Sequence, residues 1–328
     1  MLRPVPGFLL CCATACNGAC SDLVERLGGA FDDVELEAGS DTTPQVTPAV
    51  EARPRPPMEV RAAPAVQHAL LRCRLTVSSA LRVAMDRYRT SVDRSKLGDG
   101  KQISVPPELA VEIETCRRAT EDAREQPASL ELRVSQDGYL AALAAFEPAL
   151  RAVSTYYRGL QYMDDGMQHA ADLHAVFDRT WQDLERSDRN LAALLWQAVT
   201  ADLAERRDRL RGQDAQRVHW ISAQLLLSAV ELLRNLQQPA RGDPKKRLAQ
   251  FAGWRAGLDA YIKANPVDLP ASLPDPDAAR RLQLAAARVE EGGQHAIGDG
   301  EIRNGRGTSL DAVEAAVLEM ALADTELR

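Results

Sequence analysis

Apolar residues recur at helical spacing along most of the chain beyond residue 66. Leu70, Leu71, Leu75, Ser78, Leu81, Val83 and Met85 mark a first helix ending near Lys96-Leu97-Gly98-Asp99-Gly100. Pro106-Pro107 opens a second, because a fixed φ and a missing N–H suit a first helical turn; Val111 and Ile113 carry it to about Glu125. A third spans about Leu132 to Leu160 with Pro148 inside, where a kink is expected. A fourth starts near Asp165 and sets Met167, Ala170, Leu173, Phe177, Trp181 and Leu184 on one stripe. It continues through Leu191, Leu195, Val199 and Leu203, and Gly212 closes it.

The next helix, about Asp214 to Leu236, turns Val218, Ile221, Leu225, Ser228 and Leu232 inward. Phe251, Trp254, Leu258, Tyr261 and Ile262 define another, and prolines 266, 270, 274 and 276 then break the chain. Residues 277–290 and 309–326 make two final helices around a Gly-rich loop, Gly292 to Gly307. No long period-2 pattern occurs, so the expected class is all-α: an antiparallel helical bundle of about six to eight helices.

The first 67 residues read differently. Val5 to Ala15 is an apolar run of eleven residues, about half of the ~20 needed to span a bilayer, with Arg3 ahead of it. It ends in Ala13-Thr14-Ala15-Cys16, small residues followed by a thiol that can take a lipid. Residues 1–15 are thus expected to be a lipoprotein signal peptide and Cys16 the lipidated N-terminus. Cys11, Cys12 and Cys20 have poorer neighbours for cleavage, and the spacing of these cysteines does not match a zinc or iron–sulfur set. Residues 16–67 are acidic, then rich in proline, a composition that cannot bury enough surface to order a chain. This disordered tether would reach roughly 40 Å and leaves 68–328 as the helical domain.

Charge limits the partners. With 47 acidic and 40 basic residues, a net charge of −7 opposes nucleic-acid binding, which needs a dense cationic surface. The partners expected are the membrane, through the lipid, and an envelope protein, peptidoglycan or a small ligand. Asn17 after the lipid site favours the outer membrane of a Gram-negative bacterium, with the domain in the periplasm.

Candidate chemistry is sparse: no catalytic residue and no cofactor is assigned. Asp164 and Asp165 precede a helix and suit N-terminal capping. The alternative is a metal-assisted hydrolase built on Asp165, His169 and Asp172, which share one helical face at i, i+4 and i+7. His174 is five residues from His169, roughly 140° around a helix, so the two do not readily share an ion. His219 sits on a Leu-rich helix and reads as a partly buried, hydrogen-bonded histidine. Cys73 and Cys116 are candidates for a disulfide. In a simple hairpin turning at 97–106 they are offset by ~20 Å, whereas a bridge needs Cα atoms within ~7 Å. Pairing therefore requires unequal, bent or offset helices.

The stretch Tyr156-Tyr157-Arg158-Gly159-Leu160-Gln161-Tyr162-Met163-Asp164-Asp165-Gly166-Met167, followed by His174-Ala175-Val176-Phe177, resembles the YiiG-like bacterial lipoproteins. They form a family defined as a domain of unknown function, 3829. The likeness extends over roughly residues 70–328, with Tyr156, Tyr157, Tyr162, Asp164, Asp165 and His174 as its motif. It implies a helical envelope lipoprotein with no established activity, and it supplies no catalytic residues; tether, fold class and missing chemistry together point to a lipid-anchored binding or scaffold protein.

Overall fold

A proline opens the first helix and a run of apolar side chains keeps it buried. In a computed structural model, which describes residues 60–95, 103–213, 216–238, 240, 242–264, 276–298 and 308–327, α1 is Pro64–Cys73. It runs directly into a π-helical turn, Arg74–Ser79, and then into α2, Ala80–Ser95. The chain divides into Met1–Pro56, outside the described residues, and Pro57–Arg328. Cys16, the signal segment, the tether up to residue 59 and the turn at Gly98-Asp99-Gly100 also lie outside the described residues.

The folded unit starts ahead of the expected residue 68. Val60 is buried, and the Ala63 and Ser129 amides donate to the Pro127 and Arg61 carbonyls, tying residues 61–63 to 127–129. Along α1, the π-helical turn and α2, Val66, Leu70, Val77, Leu81, Met85 and Tyr88 face inward. Val83, expected on that stripe, is exposed, because two residues from both Leu81 and Met85 puts it on the far side of a helix.

After α2 the chain returns through residues 103–109, with the Ser104 amide on the Ser91 hydroxyl at 2.8 Å. Helix α3 is Ala110–Asp122. Pro106-Pro107 does not open it as expected: proline forces extended backbone on the residue before it, and the Pro106 carbonyl is instead held by Arg158. Helix α4, Leu130–Arg158, runs unbroken through Pro148, which is exposed.

A single turn, α5, Gln161–Asp164, leads to α6, Ala170–Leu210, whose 41 residues extend ~60 Å. Helices α4 and α6 are antiparallel, locked by Phe146 against Phe177 and Trp181 at ring distances of 5.1 and 5.6 Å. Gly212, at φ 80°, allows the left-handed exit from α6. Helices α7 (Arg217–Gln237) and α8 (Pro244–Ala264) form an antiparallel pair through Trp220–Trp254 and Arg247–Glu231 contacts. Asp243 accepts from the Lys245 and Lys246 amides at the start of α8.

Helices α9 (Pro276–Gly298) and α10 (Thr308–Glu326) make the last antiparallel pair. At Gly292 a Cβ would come within 2.9 Å of Val313, so the absent side chain lets these helices approach closely. Helix α10 is apolar nearly all round and buried accordingly: Leu310, Val313, Ala316, Val317, Leu318, Met320, Ala321 and Ala323 are at most 4% exposed. The class is all-α, a helical bundle, with no strand among the described residues. No described helix is long and apolar enough to cross a membrane.

Two groups of buried charge cross this core. Arg74, on the π-turn, donates to Asp188 of α6 at 2.9 and 3.2 Å and to Glu314 of α10 at 2.6 Å. Arg82 adds a second contact to Glu314, at 2.6 Å. Arg206 of α6 donates to Asp324 of α10 at 2.7 Å, and Ser222 of α7 to the same carboxylate at 2.6 Å.

Cys73 and Cys116 are joined by a disulfide with Cα atoms 4.9 Å apart. From Ser91 back to Cys73 is eighteen helical residues, ~27 Å at 1.5 Å each. From Ser104 forward, five non-helical residues reach ~17 Å and seven helical ones ~10 Å, the same distance. The offset of a simple hairpin is removed because the return path is partly extended.

Candidate functional site

The corner between α4 and α6 collects the motif residues. Gly159 caps α4 where an added Cβ would lie 2.4 Å from the Thr155 carbonyl oxygen. Leu160 then takes a left-handed conformation, φ 59°, that L side chains adopt at a cost. After α5 the chain turns again through Gly166 at φ 60° and Met167 at φ 70° before α6 begins.

Asp165 holds this turn. Its Oδ1 accepts from the Tyr156 hydroxyl and from the Met167 amide, both at 2.9 Å, and its Oδ2 lies 2.7 Å from His169 Nδ1. Partial burial would raise the carboxyl's pKa, but the hydrogen bonds from His169, Tyr156 and the Met167 and His169 amides outweigh it and hold it below the usual range. The expected capping role is thereby corrected: Asp165 serves the turn ahead of α6, whose N-cap is His169. Asp164 belongs to α5 and is exposed.

The metal face does not form. Left-handed backbone at Gly166 and Met167 interrupts any helix between Asp165 and Asp172, so spacing of i, i+4 and i+7 no longer means one face. Asp172 is exposed in the first turn of α6, where its charge suits the helix N-terminus. Among the described residues no group of three or more His, Cys, Asp or Glu side chains could hold a metal ion.

His174 occupies the next layer. Tyr88 of α2 approaches Nδ1 at 2.9 Å and Tyr157 of α4 approaches Nε2 at 2.5 Å, so the ring ties three helices together. Burial lowers its pKa below the ordinary 6.5, and nearby Asp178 opposes this only in part. Burial likewise raises Tyr88, and it raises Tyr156 and Tyr157 to about 12, so all three hydroxyls keep their protons at neutral pH. Tyr162 packs 5.9 Å from the Tyr157 ring, and its buried hydroxyl has no hydrogen-bond partner among the described residues. His219 is half-buried, with its pKa lowered by burial and by Arg206 against an opposing effect of Asp324.

Local spacing identifies His174 but not Tyr88, which arrives from 86 residues away. Arg74, Asp188 and Glu314 escape a reading of local motifs for the same reason. The only hint is a cation four residues after Leu70 and four before Ser78, on the inward stripe.

Fold and site together define an all-α bundle whose central motif knots one corner through tyrosine, aspartate and histidine. The model of a family described as a protein of unknown function, DUF3829, matches residues 72–268, and the chain belongs to that family. No curated protein and no solved structure matches it.

Proposed function

We propose that this is a lipid-anchored helical binding or scaffold protein of the bacterial cell envelope, of the YiiG-like kind. Cys16 carries the lipid, in the outer membrane of a Gram-negative bacterium. The domain works in the periplasm on an envelope protein, peptidoglycan or a small ligand. The observation that carries this reading is the buried Cys73–Cys116 bridge, since disulfides form and persist in oxidising compartments such as the periplasm. The motif supports a binding role over a catalytic one, because both oxygens of Asp165 and both ring nitrogens of His174 are engaged in holding helices together.

Expression of the full chain with radiolabelled palmitate, followed by membrane fractionation, tests the anchor. Wild type is expected to be labelled and membrane-bound, and Cys16→Ala unlabelled. Mass spectrometry that finds an unmodified Met1 on the mature protein refutes the anchor.

A further inference from the structure

Three elements distant in sequence meet at His174. Its ring stacks on Tyr88 at 5.4 Å with planes 21° apart and meets Tyr157 edge-on at 5.8 Å, while both of its nitrogens face tyrosine hydroxyls. Tyr88 and Tyr157 are 1% and 4% exposed. We propose that His174 is a pH-sensitive clasp that holds α2 and α4 against α6 while its ring is neutral and loosens that end of the bundle once the ring is protonated.

A neutral imidazole has one N–H donor and one lone-pair acceptor. One tyrosine therefore donates its O–H to the ring and the other accepts the ring N–H, which matches both nitrogens without placing charge at this half-buried position. A protonated ring has two donors and no acceptor. The tyrosine that had donated must turn its proton elsewhere, and a positive charge then sits between Tyr88 and Tyr157.

The surrounding carboxylates favour protonation only weakly or are already engaged. On α2, Arg89 lies beside Tyr88; on α6, Asp178 favours the cation but is shared with Arg89 at 3.5 Å. On α4, Tyr156 and Tyr157 stay neutral, and the carboxylate of Asp165 is held by Tyr156 and His169. Burial thus dominates, and the folded ring binds a proton less readily than a free one. A lowered folded pKa means that the clasp is fully held above the unfolded value near 6.5 and is lost as pH falls from there through the folded value.

The test is an NMR titration of histidine Cε1–H signals in the full chain from about pH 8 to pH 4, spanning the histidine range, with hydrogen-exchange protection of residues 156–177 measured alongside. The signal missing from His174→Gln is His174. Its midpoint is expected below 6.5, with protection lost as the pH falls from 6.5 through that midpoint; His174→Gln should show no such loss. Tyr88→Phe and Tyr157→Phe carry the test independently of whether the Gln variant folds. Whichever removes the donor leaves the neutral ring's lone pair unmatched and raises the midpoint toward 6.5. A midpoint at or above 6.5, protection that ignores it, or no shift in either Phe variant overturns the proposal.

Discussion

Replacing Glu314 by Gln tests whether the charge crossing the core is part of the stability of the bundle. Glu314 is 6% exposed and receives hydrogen bonds from both Arg74 and Arg82 at 2.6 Å. Burial alone would raise its pKa, but the two guanidinium groups reverse that and bring it from 4.5 to about 2. At 1.36 kcal/mol per pKa unit, ionised Glu314 contributes ~3 kcal/mol near neutral pH. Removing one partner of a buried pair costs ~3–5 kcal/mol, and the lower end applies here because Arg74 keeps Asp188 and Arg82 keeps Asp311. The sign follows from the lowered folded pKa: the contribution is complete above 4.5 and is lost as pH falls from 4.5 toward 2. Urea denaturation followed by tryptophan fluorescence should place Glu314→Gln ~3 kcal/mol below wild type at neutral pH, with the gap closing as the solution is acidified through that window. A gap under ~1 kcal/mol at neutral pH, or one that does not narrow in acid, refutes the reasoning, since the first is the size of an exposed pair.

Two other substitutions probe the backbone. The Cys73–Cys116 bridge spans 43 residues, and loop-closure entropy gives it ~4 kcal/mol, so Cys73→Ser/Cys116→Ser should lower the denaturation midpoint accordingly; an unchanged midpoint would show that the bridge constrains nothing. Leu160 sits at φ 59° and is half exposed, so Leu160→Gly should relieve ~1 kcal/mol of left-handed strain at little packing cost and raise Tm. A lower Tm would mean that the leucine side chain holds the corner.

The bundle was legible in the sequence because burial on helices leaves a repeating trace. Phe177, Trp181, Leu184, Leu191 and Leu195 are apolar at 3.6-residue spacing and all are buried. The departures have local causes. Spacing read as one helix from Asp165 to Asp172 fails because Met167, an ordinary side chain, adopts a left-handed conformation that no composition rule assigns to methionine. The disulfide could not be decided by counting helical rise, since the return from Ser104 to Leu109 covers more distance per residue than a helix does. The buried ion pairs were hidden by separation: Arg74 meets partners 114 and 240 residues away, beyond any window of periodicity.

That separation also bears on what the cooperative unit is. The family match ends at residue 268, before α9 and α10 begin. Yet Arg74 and Arg206, both inside the matched stretch, are buried against Glu314 and Asp324 of α10. Arg74 also pairs with Asp188 inside the matched stretch, whereas the buried guanidinium of Arg206 meets its carboxylate, Asp324, on α10, so α10 supplies part of the charge balance of this core. Packing agrees, for α10 lies against α9, α7 and α1, and most of its apolar side chains are buried. Helix α10 is therefore part of the core of the compact unit Pro57–Arg328 and not an appendage to it.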